Sequence, residues 1–483
     1  MKKNSIFIAA ILGLASLSAG AQNDRDAFRY SMLNPTGTAR YTALGGSMGA
    51  FGADFSTAST NPAALGTYNR SEFTISPSLY FGNTGIDYNG EYNSDYKTNF
   101  NLGNIGIVLT IPNDNGDWKA IQLSTGINRM GNFNTYSYAS GPNMQNSSFA
   151  DFVAEGANSG FTTNTKGDFV SGSKIGYMGW ESYLLDKDAN GNFYSNARFA
   201  DLIQEKSTET KGSMNEYVIS LSGNYQDRLF IGATLGIPYF SYKESYTYLE
   251  TNVNAKNEAF NGLDNQSFLH SEGSGINFKF GMLYQPFNFL RIGFAAHTPT
   301  YYSVEENYDS YFIVRHDSIG TYEDYTSDGR FVYTINTPYR LMGNVAFIIG
   351  NYGFINVDYE MADYSVMRMR SETYSFRDEN NMISKSYRVG HTIRIGGEIN
   401  LSPLVLRAGY AYVSDPYVKQ IGRDASKNIL SAGFGFRGAS NYIDFAYQYV
   451  SNTDNDVFYN KAPYAYTINT SNHSIVVTAG WKF

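Results

Sequence analysis

The feature that most constrains the fold of this chain is an alternation of side-chain type that recurs from Ser71 to the C-terminus. In the stretch INFKFGMLY, at residues 276–284, large apolar side chains take every second position, and Asn277, Lys279 and Gly281 lie between them. The same pattern returns in TIRIGGEI, at 392–399, and in YIDFAYQYV, at 442–450. Successive side chains of a β-strand point to opposite faces, so each stretch is predicted to be a strand with one apolar and one polar face.

Charges that keep to one face, opposite an unbroken aromatic face, favour a membrane barrel with a wet interior over a soluble sandwich. The chain contains 41 Tyr and 33 Phe, and rings of this kind form girdles at the two membrane interfaces of a barrel. A mean hydropathy of −0.34, with no long apolar run after the first residues, excludes a helical membrane protein. The predicted fold class is therefore all-β, a transmembrane antiparallel β-barrel.

The spacing of the strands predicts how the barrel is connected. We place about 14 strands, an even number as in bacterial single-chain barrels. They cover residues 71–82, 98–111, 117–130, 213–225, 228–242, 274–286, 288–302, 331–349, 352–370, 386–399, 403–414, 426–437, 440–451 and 472–483. The even-numbered connections are tight: PNDNGD, YQDR, YQPFN, IGNY, NLSP and RGAS. The odd-numbered connections are long and polar, which predicts short periplasmic turns and long extracellular loops.

The first 21 residues are organised as a secretory signal. Lys2 and Lys3 are basic, Ile6–Leu17 is apolar, and Ala19–Ala21 is a small-residue cleavage site. The chain has no Cys for lipid attachment, so we expect the mature protein to begin near Gln22. The formal net charge is −8, and losing the two lysines lowers it by two, to −10. Nucleic acid is therefore not an expected partner.

The stretch STASTNPAALG, at residues 56–66, is unlike the strands around it because it has the signals of one short helical turn. Asn61 is a good N-cap, and Pro62 suits the first helical position because its missing N–H would be unpaired there anyway. Gly66 can adopt the left-handed conformation that ends a helix. The sequence predicts a compact, capped turn ahead of the first strand.

The segment GTARYTALGGSMGAFGADFSTASTNPAALG, at 37–66, resembles the start of the FadL/OMPP1/TodX family of outer-membrane transporters for hydrophobic compounds. The matching residues are Asp54, Ser56, Asn61, Pro62 and Ala63. Three later stretches resemble the family in the same order: LRIGFAAHTPT at 290–300, TPYRLMGNVAFIIGNYGFINVDYEMADYS at 337–365 and LVLRAGYAYVSDP at 404–416. The chain departs from the family at His297, where an Arg is expected, and in a longer second extracellular loop.

The resemblance implies a domain organisation and a function. Residues 22–70 would be a hatch folded inside the lumen, and residues 71–483 would form the barrel of an integral outer-membrane protein. The implied function is passive uptake of hydrophobic or amphipathic small molecules, such as long-chain fatty acids, by a monomer surrounded by outer-membrane lipid and lipopolysaccharide. Two alternatives stay open: a FadL-like barrel that docks or assembles a protein-secretion machine, and an outer-membrane enzyme. Whether a substrate would leave sideways or along the barrel axis also stays open.

Two groups of residues are candidates for contact with a substrate. The lumenal polar candidates, which could bind a carboxylate or pair with each other and with the hatch, are Asp358, Glu360, Arg394, Glu398, Arg407 and Asp444. The longest connection, about residues 131–212, contains helical spacing in two places. Its vestibule candidates, which could instead pack over the barrel mouth, are Phe149, Phe152, Val153, Phe199, Leu202 and Ile203.

Three further motifs are weak. Residues 45–49 fit G-x-S-x-G, but that nucleophile motif needs a buried strand before it and a helix after it on an α/β sheet. DKDANGNFYSNA, at 186–197, has calcium-loop spacing, but its twelfth position is Ala197 and not a bidentate carboxylate. Five scattered His, among them His297 and His391, give no paired haem signature. We therefore predict no enzymatic activity, no cofactor and no metal.

Overall fold

The computed structural model describes residues 24–34, 36–113, 115–195, 197, 201–253, 260–317, 320–460 and 462–483. The predicted signal at 1–21 and the vestibule candidate Phe199 lie outside the described residues. Within those ranges, no helix combines the length and the apolar character needed to cross a membrane.

Strands dominate the described chain. In chain order they are β1 (Glu72–Tyr88), β2 (Glu91–Pro112), β3 (Trp118–Asn132), β4 (Thr135–Pro142), β5 (Phe161–Thr163), β6 (Phe169–Gly172), β7 (Leu185–Lys187), β8 (Phe193–Ser195), β9 (Leu202–Tyr225), β10 (Leu229–Asn252), β11 (Gly262–Phe287), β12 (Leu290–His297), β13 (Tyr301–His316), β14 (Gly320–Asn336), β15 (Arg340–Ile349), β16 (Gly353–Asp363), β17 (Arg368–Arg370), β18 (Val389–Leu401), β19 (Leu404–Val413), β20 (Lys427–Arg437), β21 (Asn441–Val457) and β22 (Ala465–Lys482). The α-helices are α1 (Asp24–Ser31), α2 (Ala39–Ala43), α3 (Phe149–Asn158), α4 (Lys174–Glu181) and α5 (Arg377–Ser386). The 3₁₀-helices are η1 (Phe55–Ser59), η2 (Pro62–Thr67), η3 (Tyr364–Val366) and η4 (Lys419–Ile421).

The strands form a closed antiparallel barrel that crosses the membrane 14 times. Each crossing, here called a stave, consists of one strand or of two strands in line, such as β12 and β13. β1 pairs with β2 on one side and with β22 on the other, where Glu72 lies opposite Lys482, so the first and last strands close the sheet. Two neighbouring staves are interrupted, β12 before β13 at residues 298–300 and β14 before β15 at residues 337–339. Each interruption contains a proline, Pro299 or Pro338, which cannot donate to the ladder. The predicted all-β barrel is confirmed.

The two faces of the strands follow the predicted alternation. On β11, Phe278 is 56 % exposed on the outer face, whereas the next residue, Lys279, is 3 % exposed on the inner face. Aromatic side chains on the outer face at the periplasmic end include Trp118, Phe287 and Trp481. This is the arrangement of an interfacial aromatic girdle, and it sets the lower boundary of the membrane-facing band.

All six tight turns predicted from the sequence join consecutive staves, but the staves are longer than predicted on the extracellular side. The prediction that one strand covers 331–349 is wrong because the chain breaks at Pro338, and the predicted strand at 352–370 ends at Asp363 before η3. The polar sequence of residues 303–330 predicts a long extracellular loop, whereas the described residues of this stretch pair as the hairpin of β13 and β14.

The longest connection runs from residue 133 to residue 201 and contains structure of its own. β4 continues along β9, two short hairpins are formed by β5–β6 and β7–β8, and α3 packs against α4. The predicted helical spacing holds for α3, whose Ser148 makes a capping box with Asp151. It is wrong for Leu202 and Ile203, which begin β9.

Residues 24–34 and 36–70 lie inside the barrel. α2 contacts β19, β20, β21 and β22, whereas η2 contacts β9, β10 and β11 on another part of the wall. α1 lies higher, against α5 and the aromatic side chains Phe240 and Tyr242 of β10. Because the segment touches the wall on several sides and is largely buried, it fills the lower lumen.

Candidate functional site

The Asn-Pro-Ala turn is fixed to the inner wall through Asn61, which is fully buried. Its side-chain oxygen accepts from the N–H of Ala63 (3.2 Å), which is the predicted N-cap. Its amide donates to the carbonyl of Gly49 (2.8 Å) and to Oδ1 of Asn344 on β15 (3.2 Å). One side chain thus caps the start of η2, joins two parts of the N-terminal segment and binds the segment to the wall.

Pro62 continues this docking surface. It stands at the start of η2, as predicted, and its carbonyl accepts from Ser222 on β9 (2.7 Å). A side chain at Gly232 on β10 would overlap the Pro62 carbonyl, so the wall has to be glycine there. The prediction for Gly66 is wrong, because η2 runs through it to Thr67. A Cβ at Gly66 would lie 3.1 Å from the carbonyl of Gly223, so close approach to β9 explains this glycine.

His297, which replaces the expected Arg, lies at the end of β12. Its Nε2 is 2.6 Å from the carbonyl oxygen of Thr60. When Nε2 carries the proton, the ring donates to the residue that precedes the Asn-Pro-Ala turn. His297 therefore takes part in docking the segment and is buried away from solvent.

Asp54 and Ser56 bind the N-terminal segment to itself. The hydroxyl of Thr38 donates to Asp54 Oδ2 (2.6 Å), and the N–H of Thr38 donates to Ser56 Oγ (3.0 Å). Asp54 also caps η1 by accepting from the N–H of Ser56 (2.9 Å). These two motif residues act on the internal shape of the segment, because helix termini buried without water need such partners.

Asp358 receives an unusually complete set of donors on the inner face of β16. The N–H groups of Met48 and Gly49 each donate to Oδ2 at 3.0 Å. The amides of Asn344 (2.7 Å) and Asn356 (2.8 Å) donate to Oδ1. Four donors use both carboxylate oxygens, so Asp358 serves to hold the glycine-rich part of the segment against the wall.

Glu360 and Arg394 form one buried ion cluster. Glu360 pairs with Arg394 on β18 (2.8 Å) and with Arg340 on β15. Arg340 also donates to the carbonyl of Ser31, the last residue of α1. This cluster links three staves to the N-terminal segment.

Glu398, Arg407 and Asp444 form the second cluster. Arg40 of α2 donates to both carboxylate oxygens of Glu398 (2.8 and 2.9 Å). Arg407 donates to Glu398 (2.7 Å) and to Asp444 (2.8 Å), and Arg437 donates to Asp444 (3.1 Å). All six lumenal polar candidates are thus engaged with each other, with the wall or with the segment. Of the two interpretations left open by the sequence, this geometry favours pairing over contact with a substrate.

The weak motifs have structural uses. The Ser47 hydroxyl, in the G-x-S-x-G stretch, donates to the carbonyl of Asn356 (2.9 Å) and accepts from the Asn356 amide (2.8 Å). Asp188 accepts from the N–H groups of Asn192 and Asn190, both at 2.8 Å, in the β7–β8 turn. The donors, led by Asn192, hold the pKa of Asp188 below its ordinary value. Among the described residues, no group of three His, Cys, Asp or Glu has the geometry to hold a metal ion.

A cavity of about 920 Å³ lies above the N-terminal segment. Its apolar lining includes Phe28, Met32 and Leu33, and its polar lining comes from the N-terminal segment and from strands on all sides of the barrel, among them β11, β21 and β22. Of the vestibule candidates, Phe149 and Phe152 line the cavity. Val153 and Leu202 are buried in the apolar cluster behind it, and Ile203 is half-buried at the start of β9.

The rim of the cavity on its extracellular side is ionic. Arg423, in the loop before β20, pairs with Asp454, and Arg25 of α1 pairs with Asp456 (3.2 Å). Burial by itself would lower the pKa of Arg423, but bonding to Asp454 and the nearby carboxylates raise it above the ordinary value. Burial also raises the pKa of Asp24 at the start of α1, although Tyr387 donates to it (3.2 Å).

The wall beside the cavity has a gap between β2 and β3. The two strands pair only from Asn104–Asn128 down to their periplasmic ends. Above that level β3 bulges at residues 129–131 and follows β9, and the described part of β2 pairs only with β1. Lys97 bridges the gap higher up by donating to Glu209 Oε1 (3.0 Å). Ser78, Asn101, Arg129 and Gly131 line the cavity at this level.

Sequence reasoning did not find two cations of the cavity. Arg129 lies in the bulge of β3, and Lys427 begins β20, where its only described side-chain contact is with Asn34 Oδ1 (3.4 Å). Arg129 carried one signal that could have been used. It falls on the apolar side of its strand's alternation, in line with Ile121 and Leu123, where a charge is out of place.

The closed barrel, its lipid-facing band and the N-terminal segment that fills its lumen define an integral outer-membrane protein. A family model described as "Outer membrane protein transport protein (OMPP1/FadL/TodX)" matches residues 16–483. The chain therefore belongs to the OMPP1/FadL/TodX family of outer-membrane transport proteins.

Solved structures support the fold. A Pseudomonas aeruginosa FadL homologue superposes with a TM-score of 0.58 at 14% identity, covering 94% of this chain and 100% of that one. The Pseudomonas putida toluene transporter TodX gives 0.54 at 12% identity, with 94% and 100% covered. The Ralstonia pickettii toluene transporter TbuX gives 0.52 at 14%, with 92% and 98% covered. No curated protein matches the chain significantly. These findings do not favour the secretion-machine alternative.

Proposed function

We propose that this protein takes up hydrophobic or amphipathic small molecules passively, and that they leave the barrel sideways through the gap between β2 and β3. The observation that carries the proposal is the position of the cavity of about 920 Å³, which lies between the extracellular loops and the gap. The volume is within the usual range of small-molecule sites, roughly 300–1,000 Å³.

The straight path to the periplasm is the less favourable exit. Residues 36–66 are almost entirely buried below the cavity, and their two ion clusters and the Asp358 donors hold them to the wall. At the gap, by contrast, no ladder hydrogen bonds of the described residues have to break for a molecule to pass. Sideways release would place an apolar molecule at the outer edge of the lipid-facing band without a passage through the buried N-terminal segment. The N-terminal segment acts in this proposal as a hatch, expected to span residues 22–70, that keeps the lumen closed to polar solutes.

The substrate class follows from the relatives and from the lining. The structures similar to this chain include a FadL homologue and toluene transporters, which makes a hydrophobic cargo the natural proposal here. The lining combines aromatic and aliphatic side chains with polar ones, so a long-chain fatty acid or another amphipathic molecule fits it better than a purely apolar one. The protein would act as a monomer between outer-membrane lipids and lipopolysaccharide, without enzymatic activity.

Filling the gap from inside tests the proposal. Gly131 lines the cavity at the bulge of β3, and an added Cβ would meet only the Cβ of Met214, at 3.5 Å. Gly131→Trp should therefore fold but block passage, and the uptake of labelled oleate and toluene by cells or proteoliposomes should be lost.

The matched control is Gly343→Trp on β15, where an added Cβ would meet nothing within 4 Å. Gly343 does not line the cavity, so uptake should continue. Unchanged uptake in a folded Gly131→Trp protein would contradict the sideways route. Absence of uptake in the wild type would contradict transport of these compounds altogether.

A further inference from the structure

Arg129 occupies a position that its strand assigns to the outer face. It lies opposite Asn215 on β9, and odd-numbered residues of this part of β3 share the side of Ile121 and Leu123, each 44 % exposed. Arg129 is only 9 % exposed and lines the cavity. The side chain therefore lies within the gap itself, where β3 has left β2.

No described residue neutralises this cation. Arg129 has no ion pair and no side-chain hydrogen bond with any described residue, and its Nε is buried without a partner. Across the gap, Lys97 is satisfied by Glu209 and by the carbonyl of Thr210 (2.8 Å). The lumenal arginines Arg394 and Arg407 are likewise paired. Of Lys97 and Arg129, which flank the gap, Arg129 is the one without a described partner.

The Nε of Arg129 is buried without a partner, whereas the rest of the side chain borders the cavity. Removing part of a charged group from water is unfavourable unless an opposite charge or hydrogen bonds replace the lost hydration. An anion that binds transiently from the cavity would supply the missing charge partner and hydrogen bonds, and this accounts for an arginine at this position. Arginine presents a planar fork of donors that matches a carboxylate through two parallel hydrogen bonds.

We propose that Arg129 is the headgroup site of the exit, which selects amphiphiles that carry a carboxylate. This proposal deepens the proposed function and rests on its sideways route. Neutral donors and acceptors without described side-chain partners, such as those of Asn101 and Gln448, line the same cavity and can accompany a carboxylate towards Arg129.

The height of Arg129 agrees with this role. It lies roughly eleven residues above the start of β3 at Trp118, and about 9–11 tilted residues cross the apolar band of a barrel. Arg129 is thus level with the outer interface of the membrane. A carboxylate held there can remain near the polar boundary while its hydrocarbon chain moves through the gap into lipid.

The test compares two ligands of equal chain length, dodecanoate and dodecanol, bound to purified full-length protein in a non-ionic detergent free of lipopolysaccharide. Arg129→Gln should weaken dodecanoate binding by roughly tenfold or more, as expected for loss of a buried charge partner. It should leave dodecanol binding unchanged, and Arg129→Lys should restore part of the dodecanoate affinity. The matched control, Lys97→Gln, removes the cation on the other side of the gap, which is already paired with Glu209, and should leave both affinities unchanged.

Equal weakening of both ligands by Arg129→Gln would overturn the proposal, because it would show a change of shape and not the loss of a charge partner. Unchanged dodecanoate binding would also overturn it, and a loss of lipopolysaccharide binding by the same variant, measured in a separate titration, would then assign Arg129 to a lipid phosphate. Because binding is measured without transport, a failure of the sideways route shows separately, in the Gly131→Trp uptake experiment.

Discussion

At the scale of single residues, the lumenal charges act as a fastening between the barrel and its own N-terminal segment. Arg40, Arg340 and Asp358 each connect a wall stave to residues 31–49. Every second residue of a strand faces the lumen, and many of these residues are polar or charged. When the N-terminal segment fills the lumen it removes these charges from water, which is unfavourable unless each charge has a partner. The pairing explains why six charged side chains that looked available for a substrate are engaged in structure.

Arg407 provides a residue-scale prediction. Its side chain is fully buried between Glu398 and Asp444, so Arg407→Met would leave two carboxylates without their shared partner. We expect a loss of about 3–5 kcal/mol in the free energy of unfolding, measured by urea titration in detergent micelles. The control is Arg330→Met, which removes an ion pair with Glu305 at 66% exposure and should cost no more than about 1 kcal/mol. Equal losses in the two variants would contradict a buried fastening.

At the scale of elements, alternation predicts which residues form strands but not where a strand stops being part of the wall. β3 alternates without interruption through Ile127, yet its pairing with β2 ends at Asn128 because the strand follows β9 instead. The same holds for β14 and β15, which read as one strand until Pro338 divides them. The residue at which two strands stop pairing depends on the path of both strands. The side-chain periodicity of one strand contains no information about the path of its neighbour, so it cannot predict that residue.

The membrane-facing band can be tested on one strand. Phe280 is 49% exposed on the outer face of β11, roughly seven residues above Phe287 at its periplasmic end. Phe280→Arg should destabilise the folded protein in lipid by about 2–4 kcal/mol, the usual cost of a cation near the midplane. Phe287→Arg is the matched control, since at the interface the same change should cost only about 0–1 kcal/mol. Reversible folding into liposomes gives both values, and a cost that does not depend on depth would mean that the band is misplaced.

At the scale of the whole molecule, the barrel and the segment inside it are separable. The ladder from β1 to β22 closes without any strand from residues 24–70, so the wall has no edge where the segment is needed. The segment, in contrast, depends on the wall, because its helices are short and its polar groups find many of their partners on the staves. Folding of the wall should therefore survive loss of the segment.

Deletion of residues 24–70 should give a folded barrel that is leaky to small sugars in liposome swelling, because the lower lumen would then be open. The control deletion removes residues 161–172, the β5–β6 hairpin, whose flanking residues are already joined by the Ser173 N–H to Gly160 carbonyl bond (3.0 Å). That variant should not leak. A folded deletion of residues 24–70 that conducts no better than the wild type would contradict the hatch.

The sequence by itself determined the barrel, its 14 staves, its six short turns and the capped Asn-Pro-Ala turn. These follow from local rules: the alternation of a strand, the chemistry of a turn and the hydrogen bonding of a helix start each involve residues a few positions apart. The resemblance of four blocks in order was also enough to place the chain in its family.

Only the tertiary structure decided which of the charges inside the barrel are neutralised and which are not. Glu398 contacts Arg40 across a sequence separation of 358 residues. Arg129, at the height where β3 leaves β2 and the cavity meets the wall, has no partner among the described residues. Both outcomes depend on how a closed sheet brings distant strands and the N-terminal segment together. The energy of a buried charge is set by whatever lies within a few ångströms of it, and in a barrel those neighbours come from anywhere in the chain.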